Sequence, residues 1–240
     1  MALPTVYDIC VPRDDVLQGS ITESDFAADL AQVLRGDAPE EYTDPGKFFA
    51  NTYPTRGLKA LLVNVCHRLN ASSKQIAAIF RLDTNYGGGK THDLVALKHA
   101  AQGMQGVANI SEFISPDALV KDDVRIAAFD GENADPTNGR NLGHGLRAYT
   151  PWGEIAYALN GVEGYELVRR SDQEGVAPGS ETIKELFGGQ PTLILLDELS
   201  VYLRKLKAKH RDRAGGQLTA FLTSLFKAVE STNNASLVYT

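Results

Sequence analysis

In PTLILLDELS, residues 191–200, four apolar side chains in a row (Leu193, Ile194, Leu195 and Leu196) run directly into two acids, Asp197 and Glu198. Successive side chains of a strand point to opposite faces, so a strand apolar at every position must be covered on both sides. Such a strand belongs inside a parallel sheet with helices above and below it. Ligands of open α/β sheets bind beyond the carboxyl ends of the strands, which is where Asp197 and Glu198 emerge.

Apolar runs predict further strands at 76–82, 124–129 and 236–239 beside 192–196, and helical spacing predicts helices over 90–103, 151–160, 181–187, 199–210 and 217–231. This alternation describes a three-layer α/β sandwich with a mainly parallel sheet. Ahead of it, Thr22 followed by Glu23 and Asp25 reads as a helix start, with Phe26, Leu30, Val33 and Leu34 at helical spacing up to Gly36. A second helix begins after Thr55 and carries Leu58, Leu61, Leu62, Val65 and Leu69. Residues 1–70 thus read as a helical extension and 71–240 as the core. The stretches 37–47 (DAPEEYTDPGK), 130–145 and 170–181 are polar and rich in turn formers, and read as loops.

The first core strand runs into RLDTNYGGGKTHD, residues 81–93. A phosphate-cradling loop is written G-x-x-x-x-G-K-[ST]. Gly89, Lys90 and Thr91 fit its end, but Thr84 stands where the first glycine belongs. Gly87, Gly88 and Gly89 let the backbone approach phosphate oxygens without a Cβ in the way, and the following helix points its positive end at them. Lys90 would reach the terminal phosphates and Thr91 would ligate Mg²⁺. Alone, the stretch leaves a glycine-rich turn with a surface lysine open. The Asp-Glu strand tips the balance: Asp197 is placed to hold Mg²⁺, directly or through water, and Glu198 to orient and deprotonate an attacking water. The expected nucleotide contacts are therefore Thr84, Asn85, Tyr86, Gly87, Gly88, Gly89, Lys90, Thr91 and His92. Lys90 and Glu198 are the expected catalytic pair, Thr91 and Asp197 the metal ligands, and ATP with Mg²⁺ the bound species. Glu198 favours hydrolysis, with a non-hydrolysing nucleotide switch or scaffold as the competing class.

Composition narrows the partners. A formal net charge of −6 gives no global positive field toward nucleic acid or an anionic membrane. Cys10 and Cys66 are too few for a disulfide framework or zinc site and read as buried thiols in a reducing compartment. The start, MALPTVYDICVPRDD, lacks the basic-then-apolar pattern of a secretory signal, and no apolar run approaches a membrane span, so the expected location is the cytoplasm. The chain stops at NNASLVYT, inside what reads as a strand, so a fragment of a longer protein is expected.

With both motifs placed, the chain resembles the prokaryotic P-loop ATPases grouped as domain of unknown function four-nine-nine. These are large proteins encoded beside DNA methyltransferases and helicases in phage-defence islands. The resemblance runs through VYDICVPRDDVLQG, SDFAADLAQVLRG, FFANTYPTRGLKALL, RLDTNYGGGKTHDLVALKHAA, PWGEIAYALNG and LILLDELSVYLRKL. It implies an AAA+-like core of the additional-strand type, with the strand after the Asp-Glu strand inserted between it and the phosphate-loop strand. It also implies that Thr240, at that strand's end, senses the γ-phosphate. DNA and DNA-modification or helicase proteins are expected partners by this resemblance alone, and a second copy of the chain is a further candidate partner.

Weaker signals remain. LRKLKAKHRDR, residues 203–213, reads as a DNA-contacting patch, an arginine finger or a solvated helix end, the last being preferred. His92 faces either the site or the helix packing. Trp152 reads as core, and Arg140 and Arg147 as solvated loop residues.

Overall fold

The computed structural model describes residues 5–12, 14–19, 29–72, 75–83, 89–209 and 212–240. Two short helices, α1 (Val6–Ile9) and α2 (Asp14–Leu17), are followed by α3 (Leu30–Arg35), α4 (Glu40–Thr43), α5 (Pro45–Ala50) and α6 (Arg56–Leu69). The core then runs β1 (Ile79–Arg81), α7 (Lys90–Ala101), α8 (Ile110–Phe113), β2 (Arg125–Asp130), β3 (Arg140–Gly143), β4 (Leu146–Ala148) and α9 (Pro151–Glu174). It continues with α10 (Ser180–Phe187), β5 (Thr192–Asp197), α11 (Leu199–Lys209), α12 (Ala214–Glu230) and β6 (Ala235–Tyr239).

Four strands form one parallel sheet in the order β1-β6-β5-β2. The expected insertion of the last strand between the Asp-Glu strand and the first strand is present. The all-apolar run of β5 is buried at every position, and its residues alternate between two cores. Leu193 and Leu195, with Val238, face α3, α5, α6 and α7; Ile194 and Leu196, with Leu237, face α9, α10, α11 and α12. The sheet is thus covered on both sides, and the N-terminal helices share one of its cores.

Side-chain caps explain the starts of α3, α5, α6 and α9. Asp29 accepts from the Gln32 N–H at 3.0 Å to cap α3, and Thr55 accepts from the Leu58 N–H at 3.1 Å to cap α6. The helix start expected at Thr22 lies outside the described residues. Residues 37–47, read as a loop, instead carry α4 and the start of α5. Asp44 caps α5 through the Lys47 N–H, with Pro45 at the first helical position, so Asp-Pro starts a helix here instead of a turn. The stretch 130–145 is likewise corrected: it contains strand β3, half of the antiparallel β3–β4 hairpin. Helix α9 passes beyond residue 160 through a kink at Asn160 and Gly161 and absorbs the first part of the expected 170–181 loop. Buried Asp172 accepts from the Tyr149 N–H, the Thr150 hydroxyl and the Tyr165 hydroxyl, tying the end of α9 to its start.

His99, only 2% exposed, places its Nε2 2.8 Å from the Tyr42 carbonyl and packs against Phe48 and Phe49. Burial pulls its pKa down to about 4, helped by nearby Lys98 and opposed by the Tyr42 carbonyl and Asp44. Because the unfolded value, about 6.5, is the higher one, acid favours the unfolded chain. This contribution to stability is fully present above pH 6.5 and is lost as pH falls toward 4. Between pH 7 and pH 5 the loss is about 2 kcal/mol. His99→Gln keeps a donor for Tyr42 without titrating, so in denaturant unfolding it should show a loss smaller by that amount. Equal losses in the two proteins would remove His99 as the source.

Candidate active site at the carboxyl edge of the sheet

β1, β6 and β5 end side by side because they are parallel neighbours, and their register puts Leu196 opposite Tyr239. Asp197 therefore meets Thr240, one residue past β6. Helix α7 begins at Lys90, directly after Gly89, whose φ of +75° is a left-handed conformation that suits glycine. Gly89 offers no side chain to cap the helix, which leaves its first N–H groups facing the carboxyl edge. Residues Thr84 to Gly88, the first part of the expected phosphate loop, lie outside the described residues.

Asp197 is the hub. It is 4% exposed, and its carboxylate accepts from the Thr91 hydroxyl at 2.7 Å and from the Thr240 hydroxyl at 2.6 Å. The Glu198 N–H donates to Asp197 Oδ1 and to Thr240 Oγ1, both at 3.1 Å. Residues 91, 197 and 240, far apart in sequence, thus converge on one carboxylate. Asp197 and the Thr91 hydroxyl are hard oxygen donors of the kind Mg²⁺ takes, and among the described residues no cluster of three His, Cys, Asp or Glu offers an alternative metal centre. Lys90 forms no ion pair among the described residues.

Glu198, half-buried, has a φ of +50°, an uncommon conformation for a residue with a side chain. Its carbonyl is pressed by the tail of β2: a Cβ on Gly131 would fall 2.1 Å from the Glu198 oxygen. The Gly131 N–H donates to the Asp197 carbonyl at 2.9 Å. A glycine is required at 131 because no side chain fits there. The turn leading out of β5 is therefore fixed from three sides, by Asp197, Thr240 and Gly131.

His92 is committed to packing. Its ring stacks on Phe48 at 4.4 Å, and its Nε2 lies 2.8 Å from Thr52 Oγ1. That hydroxyl gives its own proton to the Phe48 carbonyl, so it accepts from His92. Burial lowers the His92 pKa. Next to it, Asp93 is half-buried, and burial pushes its carboxyl up to about 6.

The family model for the DUF499 N-terminal domain matches residues 7–240. The chain belongs to the DUF499 family. Neither a curated protein nor a solved structure matches it.

Several other features of this DUF499 chain have structural employment. Lys205 Nζ donates to the carbonyls of Gly131, Glu132 and Ala134, and Lys209 Nζ to that of Pro136. Two of the six cations read at 203–213 thus strap α11 to the segment after β2, while Arg211 lies outside the described residues. Arg140 pairs with buried Glu154 at 2.8 Å, and Arg147 Nη1 donates to the carbonyls of Asn138 and Gly139. Trp152 is buried against Phe221 as expected. Cys66 is buried and its thiol pushed up to about 12, whereas Cys10 is exposed, contrary to the expectation of two buried thiols. No helix among the described residues is long and apolar enough to cross a membrane. Gly131 and Asp93 were missed in the sequence. Gly131 had no signal beyond following a strand, and Asp93 falls just past the end of the phosphate-loop pattern.

Proposed function

We propose that the chain binds ATP at the carboxyl edge of its sheet and hydrolyses it, in the manner of an AAA+-like, additional-strand P-loop ATPase. The observation that carries this reading is the Asp197 carboxylate joined at once to the Thr91 and Thr240 hydroxyls. The order β1-β6-β5-β2 supports the additional-strand class.

In this reading the N-terminus of α7 and the Lys90 ammonium bind the β- and γ-phosphates. Thr91 and Asp197 would hold Mg²⁺, which would supply positive charge against the β- and γ-phosphates. Glu198 orients a water whose oxygen attacks the γ-phosphorus and takes its proton. The bond to the β–γ bridging oxygen breaks, and the leaving group is ADP. Thr240, hydrogen-bonded to both Asp197 and the Glu198 N–H, is placed to register whether a γ-phosphate is present. Conformational work on DNA in phage defence, beside modification or helicase proteins, rests on the family resemblance alone; assembly with copies of itself and a cytoplasmic location complete the proposal.

Lys90→Ala tests the phosphate site. Two charge-assisted contacts of about 1.5–3 kcal/mol each put the loss of ATP affinity at hundredfold or more. Lys90 has no ion pair to lose among the described residues, so the far-ultraviolet circular dichroism spectrum should stay the same. Unchanged affinity in a folded variant would end the phosphate-loop reading.

A further inference from the structure

A cavity of about 720 Å³ opens beside the start of α7. Gly89, His92 and Asp93 line it at the start of α7, Asn51 and Tyr53 just after α5, Asn64 from α6, and residues of β1 as well. Its volume suits a nucleoside. His92 is already engaged with Thr52. Asp93, by contrast, has a half-buried carboxylate that makes no hydrogen bond or ion pair among the described residues. A half-buried carboxylate in the wall of a cavity, engaged by no protein donor, is free to accept hydrogen bonds from a ligand.

Its place on the helix says which part of the ligand. Asp93 lies three residues beyond Lys90, about 4.5 Å along the helix from the N–H groups that face the phosphates. In a nucleotide the sugar is bonded to the α-phosphate, and the base lies farther on. We propose that Asp93 accepts hydrogen bonds from the 2′- and 3′-hydroxyls of a ribonucleotide, whose base then lies toward Tyr53 and Asn64. The inference rests on the nucleotide reading above and adds sugar selectivity to it. Tyr53, 81% exposed at the cavity wall, offers a ring face to the base. An acid in the first turn also suits the helix dipole, but that role is indifferent to sugar hydroxyls.

The test is calorimetric titration of the purified protein with ATP, 2′-deoxy-ATP and 3′-deoxy-ATP, each with Mg²⁺. Hydrogen bonds to a charged group correspond to about ten- to hundredfold in affinity. The wild type should bind ATP at least tenfold more tightly than one of the deoxy analogues. Asp93→Ala should bind all three alike, at the weaker affinity, and Asp93→Asn, with only a neutral amide oxygen to accept, should show a smaller sugar preference than the wild type. Three outcomes overturn the proposal: a wild type indifferent to the sugar, variants that keep the wild-type preference, or variants that change the ATP-to-GTP ratio with the sugar preference intact. If ATP binds in a Lys90-dependent way without regard to the sugar, this inference alone falls. If the wild type binds no nucleotide, the phosphate-loop reading falls and takes this one with it.

Discussion

Glu198→Gln is expected to bind ATP as tightly as the wild type and to lose hydrolysis by 10²- to 10⁴-fold, the range a general base supplies. The substitution keeps the shape of the side chain and leaves the backbone contacts of residue 198 untouched. The Glu198 N–H still donates to Asp197 and Thr240, and the carbonyl still rests against Gly131. Asp197→Asn should do something different. It replaces an acceptor of three hydrogen bonds, two of them from hydroxyls, with a group of one oxygen and no charge. Mg²⁺-dependence of ATP binding should weaken there, whereas it should persist in Glu198→Gln. Phosphate release and nucleotide affinity, measured on both variants across a Mg²⁺ series, separate the two roles. Wild-type turnover in Glu198→Gln would remove the catalytic role and favour a nucleotide switch that assembles partners without hydrolysis.

Arg68→Ala should destabilise the fold by about 3–5 kcal/mol, a large share of a typical domain's stability. Arg68 is a buried cation, 4% exposed, whose fork reaches five carbonyls. Nε donates to Ala235 at 3.0 Å, and Nη2 donates to Thr232 at 2.7 Å and to Val229 and Glu230 at 3.3 Å each. Nη1 donates to Ile76 at 3.5 Å. Burial lowers the Arg68 pKa, with Glu230 opposing, as expected for a charge held by dipoles. Truncation strands the last carbonyls of α12 and the entry to β6 without the Arg68 donors, and those of Val229 and Ala235 are buried. Arg68→Lys, a single ammonium without the planar fork, should recover less than half of the loss. Denaturant unfolding of the three proteins gives the numbers, and a loss below 1 kcal/mol for alanine would show the carbonyls finding other donors.

The sequence and structure agree where a residue's neighbours in the chain decide its state. Leu193 to Leu196 could only be an interior strand, and Thr55 ahead of an apolar helical stripe could only be a cap. The agreement stops where geometry is made by distant residues. Nothing in the sequence near Arg68 announces that its partners lie at Val229 to Ala235, because backbone carbonyls carry no residue identity. Gly131 looks like any loop glycine until Glu198 is seen against it. The short helices α4 and α5 were hidden by Pro39, Pro45 and Gly46, which favour turns in isolation but also serve helix starts. At the site, Thr91 and Asp197 were legible as a pair because their motifs are local. The place of Thr240 came from the resemblance, and Asp93 became visible only through the cavity it lines.

The order of the sheet also sets a timetable. β1 is made early, yet the only strand it pairs with among the described residues is β6, which follows about 150 residues later. Until the ribosome has delivered β6, the strand leading into residues 82–90 has no edge to add to. β2 and β5 can pair with each other first, and β6 then extends them to receive β1. At ordinary synthesis rates the wait is on the order of ten seconds or more. A nascent chain that stops short of residue 235 should therefore leave β1 open to proteases, and gain protection there only when β6 arrives.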